Sequence, residues 1–299
     1  MIKEEILDLK KKKGVSILAH NYQIPEIQDI ADHMGDSLAL SRRARDLDAD
    51  IIIFCGVLFM AETAAILSPD KKIIIPDPKA GCPLADMVTP EALRKLKLKH
   101  PDAVVVTYVN STAEVKAETD ICCTSANALE VVNSIPKSRE IIFGPDRNLG
   151  SWVSAQAERD LILWDGYCIV HQMFSADRIR ELKKEYPESV VMVHPEVPPE
   201  IIKESDVVLG TGGMIRFAGD SDSDTFIVGT ETGMVYRLKT IYPGKNFIPA
   251  FSGAVCRNMK KITPEKLLLS LKTLGPVVTV PEKIARGARN AIEKMMEIK

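Results

Sequence analysis

Residues 15–23 read VSILAHNYQ, an apolar, β-branched run followed at once by a polar cluster. The same pattern returns as VVVTYVNS at residues 104–111 and as VVMVHPE at residues 190–196. Runs that are apolar on both faces are typical of parallel strands that helices cover on each side. The sequence therefore predicts three parallel strands with polar side chains at their carboxyl ends, where open α/β sheets bind ligands.

Further residues recur in phase with these strand ends. The polar clusters begin at His20, Tyr108 and His194, which are 88 and 86 residues apart. From each, a hydroxyl follows after 17 residues, a glycine after 35 or 36, and a cysteine after 60 or 62. The hydroxyls are Ser37, Ser125 and Thr211; the glycines are Gly56, Gly144 and Gly229; the cysteines are Cys82, Cys168 and Cys256. Self-similarity of this kind indicates three copies of one structural unit.

Capped helices mark where the later copies begin. Each start places a hydroxyl N-cap before an acid in the first turn, at Thr89-Pro90-Glu91, Ser175-Ala176-Asp177 and Thr263-Pro264-Glu265. We therefore expect domains at residues 1–88, 89–174 and 175–262. Residues 263–299 should add a helix, a strand at Val277–Val280 and a second helix that brace the ring.

The predicted fold is α/β, with three similar three-layer αβα domains that have small parallel sheets. Pseudo-threefold symmetry would arrange them around a central site, to which each domain delivers one cysteine. A single closed βα barrel is the main alternative, because about 300 residues of βα units would also suit it. One cysteine in each third of the chain favours three separate sheets.

Bulk composition narrows the class of protein. The 299 residues are 45% hydrophobic and 27% charged, as in globular proteins. A formal net charge of −2 offers no basic field for nucleic acid or anionic membranes. Apolar runs such as Ile51–Cys55 are too short to span a bilayer, and Met1–Lys13 does not resemble a signal peptide. We therefore expect a cytoplasmic protein, in which lone cysteines are more often ligands or core residues than disulfides.

The three phased cysteines predict a metal site. Thiolates are soft ligands that favour zinc or an iron–sulfur cluster. Structural zinc usually takes four protein ligands, and clusters that only transfer electrons normally have cysteine on every iron. Three cysteines would leave one iron of a [4Fe–4S] cluster open to substrate as a Lewis acid. The alternative is three buried apolar cysteines, which is what we expect of Cys55, Cys122 and Cys123, since these break the phase.

Candidate acid–base and anion-binding groups come from the same strand ends. Histidines suited to proton transfer are His20, His194 and His171, the last lying three residues after Cys168. Tyr22 and Glu196 each follow a strand-end histidine by two residues and could serve as acid and base. The phased hydroxyls lie just before predicted helix starts, where backbone N–H groups favour anions. Ordinary caps and satisfied structural histidines are the alternatives.

Seven short strings, spread through nearly the whole chain, resemble those of quinolinate synthase, the NadA family of de novo NAD biosynthesis. They are AHNYQ (19–23), GDS (35–37), YVNST (108–112), TSANA (124–128), GPDRNL (144–149), HPE (194–196) and CRNMK (256–260). The resemblance implies three αβα domains around a [4Fe–4S] cluster held by Cys82, Cys168 and Cys256. It also implies condensation of iminoaspartate with dihydroxyacetone phosphate to quinolinate, phosphate and two waters.

Site roles follow from the resemblance by motif. Tyr22 and Glu196 would transfer protons, with His20 and His194 beside them. Groups expected to hold substrate oxygens are Tyr108, Asn110, Ser125 and Thr211, with Ser37 and His171 also near the substrate. Functional coupling to an enzyme that produces iminoaspartate would then be expected. The alternatives are another cluster-dependent hydro-lyase and a non-enzymatic iron–sulfur redox sensor.

Overall fold

Three open sheets of four parallel strands form the centre of the molecule in a computed structural model that describes residues 2–298. The first contains β1 (Val15–His20), β2 (His33–Gly35), β3 (Ile51–Cys55) and β4 (Lys72–Ile74). The second contains β5 (Val104–Tyr108), β6 (Ile121–Cys123), β7 (Ile141–Gly144) and β8 (Ile162–Leu163). The third contains β9 (Val190–Val193), β10 (Val207–Val208), β11 (Thr225–Gly229) and β12 (Asn246–Pro249).

All three sheets have the same strand order. The first runs β2-β1-β3-β4, the second β6-β5-β7-β8, and the third β10-β9-β11-β12. Every strand pair in them is parallel. Three separate open sheets confirm the α/β repeat, and the barrel alternative is wrong for the described residues. Each sheet lies within one of the predicted segments.

Four helices accompany each sheet, one before each of its four strands. The first unit has α1 (Ile2–Lys13), α2 (Pro25–Gln28), α3 (Ser37–Asp46) and α4 (Leu58–Leu67). The second has α5 (Pro90–Lys99), α6 (Ala113–Lys116), α7 (Ala128–Ser134) and α8 (Arg147–Gln156). The third has α9 (Ala176–Glu185), α10 (Pro199–Ile202), α11 (Thr211–Asp220) and α12 (Gly233–Ile241). At the predicted helix starts, Thr89, Ser175 and Thr263 each cap with their side-chain hydroxyl.

The third unit shows the layers most plainly, because its sheet separates two apolar cores. Val191, Val193 and Ile227 lie in one core. Met192 and Val228 lie in the other. Successive residues of a strand point to opposite faces, so helices must cover both sides of this sheet. This is the expected αβα arrangement.

An aspartate in each unit supports the repeat further. The carboxylates of Asp32, Asp120 and Asp206 accept the backbone N–H of the residue 15 positions earlier, at 2.8, 2.8 and 2.7 Å. These aspartates are 88 and 86 residues apart, in phase with the strand ends. This spacing is visible in the sequence itself.

The C-terminal segment contains α13 (Pro264–Thr273) and α14 (Glu282–Glu297). Helix α13 packs on α1, and α14 packs on α4 of the first unit and on α6 and β6 of the second. The strand expected at Val277–Val280 is wrong, because Val277 forms only an isolated antiparallel bridge to Ile74. The segment contacts the β4 region through the Ile75 N–H, which donates to Pro276 O at 3.2 Å, and the Val278 N–H, which donates to Ile73 O at 2.8 Å.

Among the helices between residues 2 and 298, none has the length and apolar character needed to cross a bilayer. The three central strands, β1, β5 and β9, end at or just before His20, Tyr108 and His194. These residues all line one cavity. The carboxyl ends of the three sheets therefore open onto a shared space.

Candidate active site

A cavity of about 780 Å³ lies where the three units meet. Every residue that the sequence predicted for the site lines it. The first unit contributes His20, Tyr22, Ser37 and Cys82; the second Tyr108, Asn110, Ser125, Cys168 and His171; the third His194, Glu196, Thr211 and Cys256. By contrast, Cys55, Cys122 and Cys123 are buried in strands, in the apolar core.

Each cysteine of the cavity opens a short turn of the same kind. The carbonyl groups of Cys82, Cys168 and Cys256 accept the backbone N–H four residues later, at 3.2, 3.0 and 3.2 Å. One 3-10 turn follows each, at Ala85–Met87, His171–Met173 and Met259–Lys261. Backbone amides of these turns also hydrogen-bond the cysteine sulfurs. The turns therefore aim three sulfurs, each supported by N–H donors, into one cavity.

The thiols are suited to a soft metal centre. Burial raises the pKa of Cys82 to about 12 and the pKa values of Cys168 and Cys256 above their ordinary value. Cys82 and Cys256 lie close enough for the charge of one to raise the pKa of the other. A coordinating metal deprotonates such thiols outright. The donor set, three sulfurs from three units, therefore fits a cluster that has three protein ligands.

A second donor set overlaps the first. One ligand atom each of Cys168, His171 and Glu196 lies within 4.8 Å of the others. Nδ1 of His171 is 2.7 Å from Oε2 of Glu196, and its Nε2 is 2.9 Å from Oγ1 of Thr230. Only Nε2 has hydrogen-bond geometry, because Nδ1 has no hydrogen-bond partner among the described residues despite its short distance to Glu196. This second set brings one sulfur together with an imidazole and a carboxylate, whereas a soft metal centre favours thiolates. The three-sulfur set is the better candidate for a metal site.

A chain of polar contacts links Glu196 to Tyr22. It runs from Glu196 to His171, from His171 to Thr230, and from Thr230 Oγ1 to Tyr22 Oη at 2.6 Å. His171 and Thr230 are fully buried. Hydroxyl and imidazole groups in such a chain can pass protons. Thr230 was not predicted, although it directly follows the phased Gly229.

The charges in the site are set by burial and by Glu196. Burial raises the pKa of Tyr22 well above its ordinary value, so the phenol stays protonated. Burial also lowers the pKa values of His20 and His194 to about 3. Although burial alone would raise the pKa of Glu196, the facing His171 and His194 lower it to about 2. Glu196 is therefore ionised, while Tyr22, His20 and His194 beside it are neutral.

The two strand-end histidines share one tautomer. Nδ1 of His20 accepts the Tyr22 N–H at 3.1 Å, and Nδ1 of His194 accepts the Glu196 N–H at 3.4 Å. A neutral imidazole that accepts at Nδ1 carries its proton on Nε2. In His194 this Nε2 lies 3.1 Å from Ser125 Oγ. The backbone contacts therefore assign the ring proton of both histidines to Nε2, although Nδ1 of His194 also lies 3.4 Å from Glu196 Oε2.

The phased hydroxyls meet at helix starts. Helix α3 begins at Ser37 and α11 at Thr211, whereas α7 begins three residues after Ser125. Thr211 accepts a hydrogen bond from Asn21 at 2.9 Å. A methyl group added at Gly210 would lie 3.1 Å from Ser125 Oγ, so the backbone before Thr211 nearly touches Ser125. The Asp36 carboxylate already caps the start of α3 and lines the cavity. The start of α11 has no side-chain cap, so this helix start with the Ser125 and Thr211 hydroxyls suits an anionic group.

Asn110 and Tyr108 complete the wall around Glu196. Nδ2 of Asn110 lies 3.4 Å from Glu196 Oε1, and Tyr108 also hydrogen-bonds this carboxylate. Oδ1 of Asn110 is buried and has no partner among residues 2–298. A buried acceptor of this kind is costly unless a ligand satisfies it. The site thus offers a ligand donors from the histidines and an acceptor from Asn110.

Several further residues at the site were not predicted. Arg257 is exposed at the cavity and is the only lysine or arginine that lines it within the described residues. Glu231 and Asp146 are fully buried and follow the phased glycines by two positions. Nζ of Lys260 is 2.9 Å from Glu231 and donates to the Tyr22 carbonyl oxygen. The repeat phase could have found the two acids, whereas only the folded structure shows Lys260 beside Tyr22.

Comparisons with known proteins agree over the whole chain. The family model described as quinolinate synthetase A protein matches residues 4–297. A protein of Dehalococcoides mccartyi named quinolinate synthase is 52% identical over 298 residues, covering 100% of this chain and 98% of its own. Proteins of the same name from Desulforudis audaxviator and Methanoregula boonei are 49% and 50% identical, each over 97–98% of their length.

Proposed function

This chain belongs to the quinolinate synthase family, and we propose that it condenses iminoaspartate with dihydroxyacetone phosphate. The products would be quinolinate, phosphate and two waters, which balances all atoms of the two substrates. NAD biosynthesis is the process that the family serves. The proposed setting is the cytoplasm, with an enzyme that produces iminoaspartate working alongside, because imines hydrolyse in water.

The observation that carries the proposal is the meeting of three cysteines at one cavity. They come from three units, 86 and 88 residues apart, and each opens the same kind of turn. Cys82, Cys168 and Cys256 would hold a [4Fe–4S] cluster. Such a cluster supplies an iron without a protein ligand, which acts as a Lewis acid on substrate oxygens.

Proton transfer would use the chain from Glu196 to Tyr22. The protonated Tyr22 phenol can donate a proton to a leaving hydroxyl or an enolate oxygen. Thr230 and His171 would return a proton to Tyr22 from the cavity. The ionised Glu196 lies 2.7 Å from Nδ1 of His171 and would orient this ring by its charge. Glu196 therefore acts more by charge and orientation than as a strong base.

Substrate anions would bind at the helix starts. Both substrates carry carboxylate or phosphate groups, and the proposed contacts are the hydroxyls of Ser37, Ser125 and Thr211 together with the uncapped N-terminus of α11. The Nε2–H groups of His20 and His194 add donors without adding charge. Arg257 at the cavity rim would attract the dianions from solvent. Tyr108 and Asn110 would orient the carbon skeleton beside Glu196.

The direct test is anaerobic purification, iron and sulfide analysis, and an assay for quinolinate from fresh iminoaspartate and the triose phosphate. About four irons per chain and steady quinolinate formation are expected. Tyr22→Phe should keep the iron and lose most of the activity. A chain that holds the cluster, makes no quinolinate and dehydrates a hydroxy acid instead would contradict the proposal in favour of another hydro-lyase.

A further inference from the structure

A backbone contact common to the three units shows which residues are equivalent near the cysteines. The N–H groups of Leu58, Arg147 and Thr232 donate to the carbonyl oxygen of the residue two before the cavity cysteine, at 2.7, 2.8 and 3.0 Å. The residues just before these donors are Val57, Asp146 and Glu231. Val57, Asp146 and Glu231 are therefore equivalent positions of the three units, each next to the residues that lead into a cavity cysteine.

Two of these places hold a buried carboxylate that binds the cysteine itself. The Cys168 N–H donates to Asp146 Oδ2 at 3.0 Å, and the Cys256 N–H donates to Glu231 Oε1 at 3.0 Å. Both carboxylates are 0% exposed. In the first unit the matched side chain is Val57, which can accept nothing.

The second oxygen of each carboxylate is bound to the start of a helix. Asp146 Oδ1 accepts the Leu149 N–H at 2.8 Å in α8. Glu231 Oε2 accepts the Gly233 N–H at 2.7 Å at the start of α12. Each carboxylate thus connects a helix that is fixed by its sheet to the backbone of a cysteine. Such a bridge limits where the sulfur can move.

We propose that Asp146 and Glu231 are positioning residues that hold Cys168 and Cys256 in ligand geometry, while Cys82 is held without such a bridge. This inference rests on the three-cysteine metal centre of the proposed function. A hydrogen bond to a charged group is worth roughly ten- to a hundredfold in an equilibrium constant, and one between neutral groups about two- to tenfold. Burial and the nearby Glu196 raise the pKa of Asp146, whereas Glu231 is paired with Lys260, so the larger factor belongs to Glu231. Residues that orient metal ligands typically change metal affinity by about the same factor.

Glu231 has a second consequence because of its charge. Its Oε1 lies 2.9 Å from Lys260 Nζ as well as 3.0 Å from the Cys256 N–H. The reduction potential of an iron–sulfur cluster depends on nearby charge. Removing the carboxylate charge while leaving Lys260 in place makes the surroundings of Cys256 more positive. The potential of the cluster should therefore rise in Glu231→Gln.

The test measures the rate at which an iron chelator removes iron from the anaerobically purified holoprotein. Asp146→Val and Glu231→Val copy the first unit and remove both acceptor oxygens, whereas Asp146→Asn and Glu231→Gln keep one acceptor oxygen of the two. Asp120→Val and Asp120→Asn are matched controls, since Asp120 also accepts a backbone N–H but does not line the cavity. Redox titration followed by electron paramagnetic resonance gives the potential of Glu231→Gln.

The valine variants should lose iron about ten- to a hundredfold faster than the unaltered protein. The amide variants, which keep one end of the bridge, should lose iron faster than the unaltered protein but more slowly than the valine variants, and both Asp120 variants should lose it at the unaltered rate. If a valine variant does not fold, the iron-loss rates of the amide variants and the cluster potential of Glu231→Gln still test the inference.

Valine variants with unaltered iron loss would overturn the inference, as would amide variants that lose iron as fast as the valine variants. An unshifted potential in Glu231→Gln would overturn its charge role. An unaltered protein that holds a cluster but makes no quinolinate would defeat the proposed function and leave this inference standing. An unaltered protein that holds no iron would defeat both.

Discussion

At the scale of single residues, burial decides the protonation of the site. His20 and His194 are 6% and 3% exposed, and each accepts a backbone N–H at Nδ1, so both rings are neutral near pH 7. Glu196 remains ionised beside them. Sequence position alone predicted that these groups would share a site. It could not predict their charges, because those depend on burial by residues of all three units.

Burial of the two histidines predicts a pH dependence of stability. Their pKa values are lowered to about 3 in the folded protein, against an ordinary value near 6.5, so the unfolded chain binds protons first as the pH falls. From about pH 7.5 to about pH 5.5 the free energy of unfolding should fall by about 1.4 kcal/mol for each histidine. Urea unfolding of the cluster-free protein measures this, and His20→Asn should remove about half of the effect. An unchanged slope in His20→Asn would show that the ring is not buried neutral.

The position of Thr230 between His171 and Tyr22 predicts that replacing it lowers activity without lowering iron content. Thr230→Val removes the hydroxyl between His171 and Tyr22 but keeps the side-chain shape. Because the relay is broken, kcat should fall by roughly 10²–10⁴ while iron content stays unchanged. Thr240→Val, on the exposed face of α12, is the matched control and should behave as the unaltered protein. Full activity in Thr230→Val would exclude the relay.

At the scale of elements, the strand ends and helix starts were predictable because their signals are local. Thr89, Ser175 and Thr263 cap helices as expected, and β9 has the predicted bounds. The expected strand at Val277–Val280 failed, since its β-branched residues meet the edge of β4 at a single bridge. The β propensity of a segment gives no information on whether a sheet edge is available for it to pair with along its length.

The first residue of α12, Gly233, packs tightly against the loop that carries Tyr22, and this contact can be tested by adding a methyl group. A methyl group added at Gly233 would lie 2.8 Å from the Tyr22 carbonyl carbon and 2.8 Å from the Gln23 oxygen. These are backbone atoms, so Gly233→Ala must displace the loop that carries Tyr22. The expected result is a fall in kcat of about tenfold or more, as small displacements of catalytic groups are costly. Gly244→Ala, where nothing lies within 4 Å, is the control; equal kinetics in the two variants would contradict the close packing.

At the scale of the whole molecule, the candidate site forms where the three sheets meet. Three four-stranded sheets of one order direct their carboxyl ends to one cavity, and α14 ties the first two units together. The repeat spacing predicted this convergence, because equivalent residues of equivalent units occupy equivalent places. It could not predict contacts between units, such as Lys260 with Tyr22, since those depend on how the units pack.

The most direct measurement of the central claim is iron and sulfide content in anaerobically purified cysteine variants. Cys82→Ala, Cys168→Ala and Cys256→Ala should each lose the cluster, because each removes one of three sulfurs at the cavity. Cys122→Ala should keep about four irons per chain, since Cys122 is buried in β6 away from the cavity. Equal iron content in all four variants would contradict a metal centre built from three units.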